Sequence, residues 1–77
     1  MIDVELKDNL SKNLRREMDA RHVRPSDLAR RAGLAPARIT EILKGHHNPT
    51  LGTIDRLAEA LAVIPGTLLL PPPEKIP

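Results

Sequence analysis

Residues 26–45, SDLARRAGLAPARITEILKG, decide how the rest of the chain is read. Ser26 offers a side-chain oxygen as a helix N-cap, and Asp27 puts a negative charge where the helix dipole favours one. Leu28, Ala29 and Ala32 share a face, and Gly33 suits the left-handed residue that ends a helix. Pro36 fits the first turn of the next helix. Ile39, Ile42 and Leu43 form its apolar side, and Gly45 closes it. The stretch predicts two short helices joined by a tight turn.

The same punctuation continues outward. Leu6, Leu10, Leu14 and Met18 recur every four residues, a helical stripe that stops before Arg24-Pro25 and has Asp8 or Asn9 as its cap. Ile2, Val4 and Leu6 alternate with Asp3 and Glu5, the period of a short strand. After the polar loop HHNP, Thr50 is the expected N-cap of a fourth helix with apolar Leu51, Ile54, Leu57, Ala58, Leu61 and Ala62. Pro65 starts a fifth, short helix through Leu69, and the tail PPPEKIP is extended. The expected fold class is all-α. One five-helix domain occupies residues 8–70, between an N-terminal arm (1–7) and a Pro-rich tail (71–77).

Composition narrows the chemistry. At 77 residues the chain has room for one small domain, and 40% apolar residues supply a core. With no Cys, disulfides, thiol catalysis and Cys-based zinc sites are excluded. With no Phe, Tyr or Trp, base stacking on aromatic platforms is excluded too. His46 and His47 adjoin, but with only remote His22 they lack a helical ligand spacing, so neither a metal nor any other cofactor is expected. No acid, base and nucleophile converge in a motif, which argues against an enzyme. No apolar run is long enough to span a membrane, and MIDVEL does not read as a signal peptide. A cytoplasmic chain is expected.

The net charge of +2 is unevenly spread. Residues 7–46 carry ten basic and five acidic side chains, a balance of +5, against −1 over residues 47–77 and −2 over residues 1–6. A basic block beside a neutral one fits an anionic partner, although a merely solvated helical surface has the same signature.

Two helices around a Gly33 turn, with small alanines at their crossing, form a helix-turn-helix pattern. Residues 27–63, DLARRAGLAPARITEILKGHHNPTLGTIDRLAEALAV, resemble the Xre/Cro-type, phage-repressor-like family. The matching residues are Leu28-Ala29, Ala32-Gly33, Ile39, Gly45, Asn48-Pro49, Ile54, Leu57-Ala58 and Leu61-Ala62-Val63. The resemblance implies a lambda-repressor-like DNA-binding domain, dimeric on palindromic operators, whose third helix enters the major groove. The implied function is sequence-specific double-stranded DNA binding by a small transcriptional repressor. The antitoxin of a toxin–antitoxin pair, with a toxin as partner, and a helical protein-interaction module are the alternatives.

Base-contacting positions of the family fall on Pro36, Ala37 and Glu41, with Arg38 and Thr40 beside them. On a helical wheel Ala37, Glu41 and Lys44 lie opposite Ile39, Ile42 and Leu43, while Pro36 sits nearer the edge and has no donor. Glu41 either accepts from a cytosine amine or pairs along the helix with Arg38 or Lys44. Arg24, Ser26, Arg38, Lys44, His46, His47 and Asn48 are the phosphate candidates, helix N-termini being natural anion sites. Where relatives commonly pair an Arg in helix one with a Glu ending helix three, this chain has Met18 and Leu43, which are expected to pack together. Ile64, Leu68, Leu69 and Leu70 are dense apolar residues near the chain end, expected in a homodimer interface unless they complete the core.

Overall fold

A four-residue leucine spacing builds the longest element. In the computed structural model, which describes residues 4–46 and 49–71, α1 runs Val4–Ala20 with Leu10, Leu14 and Met18 buried along one face. It begins earlier than its sequence suggests. Residues 4–7 are helical, not strand, and Asp8 and Asn9 lie inside the helix instead of capping it. A lone strand has no partner among the described residues, whereas the helix is continuous with the turn in which Asp8 pairs with Lys12 at 3.0 Å. The remainder of the expected arm (1–3) and tail (72–77) lies outside the described residues.

Proline and glycine punctuate the other elements as anticipated. The helices are α2 (Pro25–Ala32), α3 (Pro36–Leu43), α4 (Leu51–Leu61) and α5 (Pro65–Leu69). Pro25, Pro36 and Pro65 each open a helix, where a missing N–H costs nothing. Thr50 caps α4, its hydroxyl accepting from the Thr53 amide at 3.2 Å. Ser26 does not cap α2. Because the helix begins at Pro25, the cap position falls on Arg24, whose amide donates to the Asp27 carboxylate at 3.3 Å.

The first four helices end alike. A left-handed residue (His22, Gly33, Gly45, Ala62) is followed by one whose amide reaches back a full turn. Those bonds run from Val23 to the Met18 carbonyl, Leu34 to Ala29, His46 to Glu41 and Val63 to Ala58, at 2.9–3.1 Å. Three of these pairs are apolar and lock the chain onto the core. The pair closing α3, His46 with Glu41, is polar.

The apolar part of the core is aliphatic apart from Met18. It gathers Leu10, Leu14, Leu28, Ile39, Ile42, Ile54, Leu57, Leu61 and Leu68, with alanines at the closer approaches. In α4, Leu51 is 75% exposed and so does not join it. α1 packs on α3 and α5, α2 on α3 and α4, and α4 on α5. α5 is too short to hold itself, and α1 supplies its C-terminal cap. The fully buried Asn13 donates to the carbonyls of Leu68 (3.0 Å) and Leu70 (2.6 Å), and Asn9 donates to that of Leu69 at 3.4 Å. Leu68 is fully buried, which removes it from the expected interface set. Leu69 is half-buried, while Ile64 (72%) and Leu70 (64%) stay exposed. Among the described residues no helix is long and apolar enough to cross a membrane.

Candidate nucleic-acid interface

The three-residue turn Gly33–Ala35 sets α3 against α2. Gly33 has φ 70°, a conformation that a Cβ would strain, and its own amide also donates to Arg30 at 3.4 Å. Ala29 and Ala32, both buried, lie on the face of α2 turned inward. Ile39 and Ile42 anchor α3 to the core. This leaves Pro36, Ala37, Arg38, Thr40 and Glu41 exposed. Leu43 is only half-buried, although it lines the same groove as the buried Met18.

One of these side chains is already hydrogen-bonded, and another has a close neighbour. The Thr40 hydroxyl donates back to the Pro36 carbonyl at 3.2 Å, so only its lone pairs face outward. Glu41 lies 3.9 Å from the His46 imidazole. Among the described residues neither Arg38 nor Lys44 comes within ion-pair distance of it, contrary to the intrahelical pairing that its spacing predicts. The turn that closes α3 draws His46 back over Glu41 instead. Arg38 and Lys44 are exposed, with no carboxylate partner among the described residues.

At the start of α2, Asp27 gathers charge. Arg24 Nε approaches it at 3.4 Å and Arg30 Nη2 at 3.1 Å. The hydrogen bond from the Arg24 amide holds the Asp27 carboxyl below its ordinary value of 3.8. Partial burial opposes that shift, and the two guanidiniums reinforce it. Arg24 and Ser26 are both exposed, Ser26 at the second helical position. His46 is exposed beyond α3, and His47 and Asn48 lie outside the described residues.

Residues 13–74 match the family described as the Cro/C1-type HTH DNA-binding domain. The chain belongs to the Cro/C1-type helix-turn-helix family. In Cro/C1-type terms, α2 and α3 are the helix-turn-helix, within an all-helical DNA-binding domain. A crystal structure described as that of the hypothetical transcription factor NHTF from Neisseria superimposes with a TM-score of 0.85 at 30% identity. The match covers 94% of this chain and 84% of the other. No curated protein matches the chain.

One side chain of this Cro/C1-type surface escaped the sequence reading. Arg15 of α1 donates from Nη2 to the Leu43 carbonyl at 3.1 Å, in the last turn of α3. The available signal was its place one turn before Met18, on the flank of α1 that meets α3.

Proposed function

We propose that the chain is a sequence-specific double-stranded DNA-binding transcriptional regulator, a homodimeric repressor on a palindromic operator. The observation that carries this reading is α3, with Ile39 and Ile42 buried and Pro36, Ala37, Arg38, Thr40 and Glu41 exposed. A helix held in this way lays its outer side chains in a major groove. Ala37 offers a methyl to thymine, and Glu41 an acceptor to a cytosine amine. Arg24, Ser26, Arg38, Lys44 and His46, with His47 and Asn48, meet the backbone. Membership of a DNA-binding family and likeness to a hypothetical transcription factor support this assignment.

The dimer rests on surface chemistry. Leu51, Ile64 and Leu70 are large apolar residues open to solvent, and Leu51, Pro65 and Leu69 line one groove between α4 and α5. A second copy of the chain covers this patch, removing apolar surface from water. A two-fold arrangement then sets two copies of α3 about 34 Å apart, one turn of DNA. A dimer seated over a promoter represses by occupying it.

Selection from random duplexes at moderate salt, paired with sedimentation, tests the reading. One enriched motif of two inverted half-sites, bound by two chains, is expected. Binding without an enriched motif removes sequence specificity. A monomer at high micromolar concentration, with and without DNA, removes the dimer.

A further inference from the structure

The basic side chains of α1 divide by their partners. Lys12 pairs with Asp8 at 3.0 Å, while Glu17 takes Arg16 at 3.2 Å and also Arg21. Arg15 has no carboxylate partner among the described residues. Its bond goes to a neutral oxygen, the Leu43 carbonyl, 28 residues along the chain. That carbonyl lies in the last turn of α3, where main-chain oxygens lack helical partners and the dipole favours a cation. The guanidinium therefore keeps its full charge and most of its five donors.

Its neighbours are also basic. Lys44 follows Leu43 directly and is exposed. Arg24 lines the same shallow groove as Arg15, over Met18, Val23 and Leu43. Asp19 shares the groove but stays beyond ion-pair distance of Arg15. Arg15 of α1 and Arg24 at the start of α2 thus share one groove beside the end of α3, and exposed Lys44 follows that end directly.

On the reading that α3 lies in a DNA groove, we propose that Arg15 grips a backbone phosphate beside the C-terminal end of α3 while holding that end in place. The planar fork of Arg suits this double task, because it can donate to a carbonyl and a phosphate at once. The contact makes the backbone grip and the seating of α3 one event. Arg15 acts on phosphate and reads no base.

Arg15→Gln removes the charge and keeps an amide donor on a shorter side chain, whereas Arg15→Lys keeps the charge and loses the fork. Affinity for a random-sequence duplex is measured by fluorescence anisotropy across a salt series, below the melting temperature of every protein. The wild type is expected to show a steep fall of log K with log salt. Arg15→Gln should reduce that slope by about 0.9, the value of one phosphate contact, with Arg15→Lys retaining it. A wild-type slope in Arg15→Gln would overturn the proposal and leave Arg15 as a helix cap alone. A wild type that fails to bind, or binds independently of salt, overturns the DNA-binding reading itself, and does so before any variant is compared.

Discussion

The side-chain amide of Asn13 donates to the main-chain carbonyl of Leu68 at 3.0 Å, fully buried, joining the first helix to the last. A second bond reaches Leu70, and the Asn13 carbonyl oxygen accepts from Arg16 Nη1 at 2.8 Å. Every polar atom of this buried amide thus works within the fold. Asn13→Ala strands the Leu68 carbonyl, worth about 1–3 kcal/mol when buried without a partner, and frees a second, part-buried one at Leu70. Chemical denaturation should show a loss of about 2–4 kcal/mol. A loss under about 0.5 kcal/mol, typical of a neutral surface site, would mean that water replaces the amide at no cost.

Ile64 and Leu68 are four residues apart, yet Ile64 is exposed and Leu68 fully buried. Ile64→Glu should leave the melting of the monomer nearly unchanged while shifting sedimentation to a single chain. Leu68→Ala should cost about 2–5 kcal/mol through the cavity that it opens. A dimer that survives Ile64→Glu would remove this patch from the interface.

Ala62 ends α4 at φ 59°, a left-handed conformation that Cβ disfavours. Ala62→Gly relieves that strain but gives the unfolded chain more freedom, for a net gain of about 0.5–1 kcal/mol. Calorimetry should register a rise of a few degrees. An unchanged or lower melting temperature would show that the turn carries no strain.

Asp27 makes stability depend on acid. Its folded value lies below 3.8, so the folded state favours the carboxylate. Its contribution is fully present above the unfolded value and is lost as pH falls through the lower, folded one. Asp27→Asn should therefore be less stable than the wild type at neutral pH, with the gap closing once pH drops below 3.8. A gap that stays constant into strong acid would show that the carboxylate charge has no part in it.

Helix boundaries were legible wherever Pro or Gly dictates the backbone. Pro36 and Pro65 start helices and Gly33 and Gly45 end them, whereas α2 starts at Pro25, before the Ser26 cap that the sequence suggests. The start of α1 was not, because an alternation too short to pair with anything mimics a strand. Nor was the orientation of residues 64–70, since a five-residue helix is too short for a period to separate Leu68 from Leu70. The outward face of α3 followed from Ile39 and Ile42. Its neighbours did not, because the approach of His46 to Glu41 depends on a turn, and the bond of Arg15 to Leu43 depends on how two helices cross. The Asn13 clamp was hidden for the same reason, since an Asn within a helical stripe reads as a solvated residue.

The central claim is that the exposed face of α3 reads base edges. Glu41→Ala alone leaves that open, since its loss either relaxes preference at one base pair or only removes repulsion from phosphate. Changing Ala37, Thr40 and Glu41 together, with Ile39 and Ile42 kept, replaces the face without touching the core. Random-duplex selection on the wild type and on this triple variant gives the most direct test. The enriched motif should differ between the two proteins within each half-site, while both melt at similar temperatures. Identical motifs from both would contradict the account, because specificity would then come from somewhere other than α3.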